Sequence, residues 1–314
     1  MKIAGVADIG ATNTRIALIR DDFSILASER FETPKGNNPY EIPDLVGEVI
    51  SRLCRFFPKE VIEGIGVSVA GPVDLNAGSI IHPPNMPFDE VPIVRPLTDS
   101  LGCPVLIMND CRAAVLGEVF AGAGRGKEHV VYITISTGIG GGVYSGGKVL
   151  VGRGGNAGEI GHFTVDTSYL HPCSCGCTGH WEGYASGKGI PDFFQKWCEI
   201  EGFIPSSPSG TAKEILTAAA LIDPIATRFI QTLAQINARG LSTVIVAYDP
   251  GIIILDGPVV TSYPDLILTP ALRYIDRYLD IPEIVISPLK GNAPILGAAA
   301  LVFSSYSSRD QTGE

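Results

Sequence analysis

Short apolar runs and polar breaks follow one another from the start of this chain. Ile3 to Ala7 is one run and Ile16 to Ile19 the next, joined by a polar link holding Gly10, Thr12, Asn13 and Thr14, which predicts strand, tight turn, strand. Ile25 to Phe31 continues that sheet as a third strand. Asp44 to Phe57 has the apolar spacing of a crossover helix, and Val61 to Val69 reads as a buried strand ending in the sharp turn Ala70-Gly71-Pro72-Val73-Asp74. Gly78 to Pro96 is proline-rich, carries the polar island Pro84-Asn85-Met86-Pro87, and predicts a surface loop. Val105 to Met108 is another strand, ended by Asn109-Asp110, and Arg112 to Ala121 is a helix.

At Val130 the opening pattern returns: strand to Ile135, a glycine-rich turn from Ser136 to Gly142, then a second strand. Two strand–turn–strand units in one chain predict a duplicated fold. Val143 to Val151 continues as β-hairpin where a dinucleotide fingerprint would need a helix, so Gly138-Ile139-Gly140 does not read as one. From Gly187 the chain turns helical, with Ser206 to Gly210 as a loop and Asp223 to Ala247 as one long helix. Ile252 to Leu255 is a buried strand leading to Asp256-Gly257-Pro258. Pro264 to Leu279 predicts a helix, Ile284 to Ile286 a last strand, and Ala293 to Phe303 a helix whose small residues permit close packing. The polar tail from Ser304 is expected to fray.

Composition narrows the class. The 314 residues suffice for two α/β lobes, and 45% hydrophobic with 18% charged residues fits a buried core and excludes disorder. A net charge of -10 repels phosphate backbones, so nucleic acid is not an expected partner. Asp8 interrupts the first apolar run too early for an export signal, and the long uncharged stretch His129 to Gly147 is too rich in glycine for a membrane helix. The cytoplasm is the expected location. Cys54, Cys103, Cys111 and Cys198 lie among apolar residues as buried thiols, whereas Cys173, Cys175 and Cys177 cluster.

The opening turn suits a phosphate. Gly10 admits a ligand close to the backbone, Thr12 and Thr14 add hydroxyls, Asp8 could hold a hydrated Mg²⁺, and Arg15 balances its charge. An ordinary hairpin with a polar turn is the alternative. Asp110, where a strand gives way to a helix, is either an N-cap or a general base.

Asp8-x-Gly-x-Thr, the Asn109-Asp110 pair, the second glycine turn and Asp256-Gly257 occur in the order seen in sugar kinases of the actin-like ATPase superfamily. The chain resembles the ROK family, named for repressors, open reading frames and kinases, over nearly all of residues 2 to 303. The most specific part is Gly158-Glu159-Ile160-Gly161-His162 followed by the stretch from Cys173 to Ser186. The resemblance implies an α/β fold of two actin-like (ribonuclease H-like) lobes, each a mixed sheet with flanking helices, with a cleft between them. Residues 1–109 plus 294–314 would form the small lobe and 110–293 the large one. It implies ATP-dependent phosphorylation of a hexose, glucose first, with N-acetylhexosamines, mannose and fructose as alternatives.

Asp110 matches the family's catalytic base, and Asn85, Asn109, Glu159, His162 and Glu182 match its sugar ligands. The nucleotide would be held by Asp8, Gly10, Thr12, Asn13, Thr14, Thr137, Gly138, Gly140, Asp256 and Gly257, with Pro258 where a further glycine is common. A structural Zn²⁺ is implied at His162, Cys173, Cys175 and His180. His180 replaces the usual third cysteine, and Cys177 is its rival. A homo-oligomer, dimer or tetramer, is also implied. Two other classes compete. A sugar-responsive DNA-binding regulator is expected to carry an N-terminal helix-turn-helix, and an actin-like ATPase has no need of the Glu159, His162 and Glu182 cluster.

Overall fold

The structure, a computed structural model, describes residues 2–83, 88–204, 210–278 and 280–312. Its contacts divide the chain into two units: Met1–Gly126, Val149–Ala157 and Pro288–Glu314 form the first, Lys127–Lys148 and Gly158–Ser287 the second.

The first unit opens with β1 (Lys2–Ile9), β2 (Asn13–Arg20) and β3 (Ile25–Glu32), followed by α1 (Glu41–Cys54) and β4 (Val61–Val69). Apart from residues 84–87, which lie outside the described residues, the predicted loop from Gly78 is more ordered than its prolines suggest. It follows β5 (Val73–Asp74) and contains β6 (Ser79–Ile81), β7 (Glu90–Pro92) and the start of α2 (Val94–Leu101), because Ile80, Val91 and Ile93 are buried and pull it onto the core. β8 (Val105–Asn109) and α3 (Asp110–Ala121) complete the run. The main sheet has the order β3-β2-β1-β4-β8, antiparallel through the hairpin strands and parallel from β1 to β4 to β8.

Strand alternation gives β1 two buried faces. Ile3, Ala7 and Ile9 pack with Val46, Val49 and Ile50 of α1, while Ala4 and Val6 pack against Ile295, Ala298 and Ala299 of the C-terminal helix (Ala293–Thr312). That helix runs well past Phe303, where fraying was expected. A Cβ at Gly66 would collide with the Ala298 carbonyl, one at Gly117 with the Ala293 carbonyl, and one at Gly297 with the Ala113 carbonyl. Backbone-to-backbone packing of this kind ties α3 to the C-terminal helix. The boundary read at 109/110 is therefore corrected: α3 belongs with the first unit.

The second unit repeats the topology with β9 (His129–Ile135), β10 (Ile139–Ser145), β11 (Lys148–Val149), β12 (Ile252–Asp256) and β13 (Glu283–Ile286), in the order β11-β10-β9-β12-β13. An antiparallel β9–β10 hairpin is again followed by parallel neighbours. Its helices are α4 (Trp181–Ala185), α5 (Gly189–Glu201), α6 (Ala212–Ala220), α7 (Pro224–Tyr248), α8 (Pro258–Ser262) and α9 (Pro264–Ile267). The helix predicted over 264–279 stops at Ile267 and is followed by a 3-10 turn at Ala271–Arg273. Pro270 explains the break, since it has no N–H and disfavours helical geometry at Thr269. Among the described residues, no helix is long and apolar enough to cross a membrane.

Candidate active site

The β1–β2 turn is built from inside. Gly10 N–H donates to the Asn13 carbonyl at 2.9 Å, and the Thr33 hydroxyl donates to the Gly10 carbonyl at 2.7 Å. Thr14 is fully buried with its hydroxyl 3.0 Å from that of Thr33, so it supports the turn from beneath, while Thr12 stands exposed at the tip. Thr33 belongs to no motif and was not read from the sequence. Asp8, next to last in β1, lies opposite Arg15 and accepts from the Ser68 hydroxyl at 2.9 Å. Burial pushes its carboxyl above the usual range, against the pull of Ser68 and Arg15. Arg15 donates in turn to Asn292 Oδ1 at 2.6 Å and to the Gly291 carbonyl at 3.2 Å.

At the head of α3 the N-cap falls to Asn109. Its Oδ1 accepts from the Cys111 and Arg112 N–H groups at 3.1 and 3.4 Å, and its amide reaches the Gly71 carbonyl at 3.4 Å. Asp110 is thus the first helical residue, half-buried, with Oδ1 accepting from Cys111 N–H at 2.8 Å. Arg112, buried one step further on, donates to the Gly155 carbonyl and anchors the glycine-rich segment Val149–Ala157. Asn85 lies outside the described residues.

In the second unit the β9–β10 turn closes through Ser136 N–H on the Gly138 carbonyl at 2.9 Å. Its outer carbonyls are taken by the turn leading into α5: Gly187 N–H reaches Ser136 O at 2.7 Å and Lys188 N–H reaches Thr137 O at 3.3 Å. Among the described residues the N–H groups of Thr137 and Gly138 have no hydrogen-bond partner. Two adjacent unpaired amides at a strand end make an anion cradle.

A five-residue helix cannot hold itself, and α4 is fixed by tertiary bonds. Trp181 is fully buried with Nε1 donating to Asn237 Oδ1 at 2.9 Å, and the Tyr184 hydroxyl donates to Asp166 at 2.9 Å. This fixes the neighbours of Trp181. Glu182 Oε2 accepts from Ile139 N–H at 3.0 Å, and Oε1 accepts from the Ser174 hydroxyl at 2.6 Å. Ligand atoms of His162, Cys173, Cys175 and His180 all lie within 4.8 Å of one another. Cys177, the rival, stands exposed outside that group, with its carbonyl accepting from Cys173 N–H at 2.8 Å. Glu159 is exposed at the start of the short turn Ile160–His162.

Asp256 ends β12 almost wholly buried, and its carboxylate accepts from the Tyr132 hydroxyl at 3.2 Å and from Gly257 N–H at 2.7 Å. It shapes the turn. Gly257 has φ 95°, and a Cβ there would lie 2.5 Å from the Ile135 carbonyl. Beside this turn opens a cavity of about 590 Å³ lined by Thr137, Lys188, Thr211, Lys213, Leu216, Val259 and Tyr263 among others. Apart from Thr137, none of these was singled out from the sequence. Thr211 is placed there by a capping box with Glu214, a local signal that marks the helix start and says nothing about a ligand.

Two sheets of one topology, each with a polar turn at the same place in its first hairpin, define an actin-like sugar-kinase architecture. Residues 4–305 match the ROK family. A glucokinase from Pyrobaculum calidifontis is 32% identical over 304 residues, covering 95% of this chain and 94% of that protein. The crystal structure of a ROK hexokinase from Thermus thermophilus matches with a TM-score of 0.84 at 30% identity, over 98% of this chain and 99% of that one. A ROK family glucokinase from Streptomyces griseus, solved in complex with glucose and AMPPNP, gives a TM-score of 0.74 at 28% identity, over 96% and 99%. The chain belongs to the ROK family.

Proposed function

We propose that glucose is the acceptor of this chain, an ATP-dependent sugar kinase that transfers a phosphoryl group to a hexose. Asp110 takes the proton from the attacking hydroxyl, and Asn85, Asn109, Glu159, His162 and Glu182 hold the remaining hydroxyls. The observation that carries this reading is the placement of Glu182. A carboxylate suited to sugar hydroxyls bonds the Ile139 amide of the turn whose free N–H groups suit a phosphate. An ATPase without an acceptor has no use for that arrangement.

Phosphoryl transfer depends on positioning and charge neutralisation more than on covalent chemistry. Gly10, Thr12, Asn13, Thr137, Gly138 and Gly140 line the phosphates, with Thr14, Asp256 and Gly257 fixing the turns. Mg²⁺ held through Asp8 would neutralise the polyphosphate, and the raised affinity of that buried carboxyl for a proton is the demand a cation would answer. The base of the nucleotide fits the cavity beside Gly257. Filling that space with Ser262→Trp is expected to raise the KM for ATP at least ~10-fold and leave the KM for sugar within ~2-fold. Steady-state kinetics on both substrates checks this; equal rises in the two would remove the assignment.

The four clustered nitrogen and sulfur donors suit a tetrahedral Zn²⁺, with one imidazole nitrogen of His162 on the metal and the other left for the sugar. Bound there, zinc would fix the loop and take no part in the chemistry. Protein purified without chelator is expected to carry ~1 equivalent of zinc, and Cys175→Ser to carry less than ~0.3. Elemental analysis decides; Cys177→Ser is expected to keep its metal. The location is the cytoplasm, in keeping with seven free cysteines, and the assembly is a dimer or tetramer. ADP release measured across a hexose panel with Mg-ATP tests the whole reading. Glucose is expected to give the highest kcat/KM. A higher value on N-acetylmannosamine would reassign the acceptor, and hydrolysis indifferent to every sugar would favour an ATPase.

A further inference from the structure

Glu182 sits where the phosphate turn and the metal loop of the second unit meet. One carboxylate oxygen is held by the turn through Ile139 N–H at 3.0 Å, the other by the loop through the Ser174 hydroxyl at 2.6 Å. Gly138 leaves room for it, since a Cβ at that position would lie 2.5 Å from Oε2. Its backbone is pinned by the neighbouring Trp181, so the carboxylate has a fixed origin and a tether at each oxygen. A carboxylate offers about four lone-pair sites, and these two bonds, with the longer one from Cys173 Sγ to Oε1 at 3.9 Å, leave about one for an incoming hydroxyl.

We propose that Glu182, held by Ser174, couples the two substrates: it positions the Ile139 amide and with it the Thr137–Gly138 cradle, so that sugar bound at Glu182 tightens the grip on the nucleotide. The coupling rests on the reading of Glu182 as a sugar ligand; the positioning of the turn does not. A hydroxyl donated to Glu182 removes the carboxylate's remaining rotational freedom, and the turn it holds loses freedom with it. The nucleotide then meets an ordered cradle and gives up less entropy on binding. By linkage the nucleotide raises sugar affinity by the same factor. Ser174 acts through Glu182 and is a positioning residue.

Two measurements test this on the metal-loaded protein. Amide exchange at Ile139 is expected to speed up at least ~5-fold in Ser174→Ala and in Glu182→Gln, while metal content and the exchange of core amides such as Ile254 stay as in the native chain. The dissociation constant of AMPPNP, measured by calorimetry, is expected to fall at least ~5-fold on adding saturating glucose, and in Ser174→Ala by less than ~2-fold. A purely structural role for Ser174 would lower thermal stability and leave that ratio unmoved. Unchanged exchange at Ile139 in both variants overturns the positioning role. Undiminished coupling in Ser174→Ala, or no coupling in the native chain, overturns the link between substrates. Failure of the sugar-ligand reading looks different: Glu182→Gln would then bind glucose as well as the native chain does while Ile139 exchanges faster.

Discussion

Asp110→Asn is expected to keep sugar affinity within a few-fold and to lose at least ~100-fold in kcat, the lower end of what a positioned base contributes. The substitution is nearly isosteric, and the fold tolerates it for a visible reason. Its bond from Cys111 N–H at 2.8 Å is one that an amide oxygen accepts equally well. The N-cap is supplied by Asn109, so the helix start does not depend on residue 110. What an amide cannot do is take a proton from a hydroxyl. Turnover followed by ADP release and sugar affinity followed by calorimetry separate the two effects. A loss in kcat below ~10-fold would take Asp110 out of the base role. The companion variant Asn109→Ala should behave oppositely, lowering stability through the lost cap with a smaller effect on turnover.

The turns and strand ends that carry the candidate site were legible because their signals are local. The β1–β2 turn, the Asn109-Asp110 step and the second glycine turn all sit at strand ends, where a run of apolar residues stops and a few polar ones follow. The four metal candidates came from the family resemblance, and the fold brings the ligand atoms of His162, Cys173, Cys175 and His180 within 4.8 Å of one another. What stayed hidden depends on contacts far apart in the chain. Thr33 props the first turn from just beyond the third strand, and nothing in Arg-Phe-Glu-Thr announces it. Thr14 and Asp256 are buried and brace their turns, a role only packing reveals. Cavity residues such as Lys213, in α6, and Tyr263, between α8 and α9, are distant in the chain and share no motif. The division before Asp110 failed for a similar cause: the contact that assigns α3 to the first unit is made with a helix at the far end of the chain.

That helix contact carries the second large effect. Gly297→Ala is expected to destabilise the protein by roughly 2–3 kcal/mol, seen as a fall of about 5–10 °C in the midpoint of thermal unfolding. The added methyl points at the Ala113 carbonyl, and backbone cannot swing aside as a side chain can. Relief would require the C-terminal helix and α3 to separate, which also loosens Gly117 against the Ala293 carbonyl and Gly66 against Ala298. Alanine is the better helix former by about 1 kcal/mol, so local propensity opposes the effect, and a loss of stability can come only from the collision. Since α3 begins at Asp110, its displacement reaches the proposed base, and kcat is expected to fall with sugar affinity little changed. Calorimetric melting of Gly297→Ala beside Gly102→Ala provides the control. Gly102 caps α2 with φ 67° and has open space around its Cβ position, so that variant bears the cost of a left-handed conformation alone. A Gly297→Ala melting point equal to the native one would mean that the two helices have room the carbonyl contact denies them.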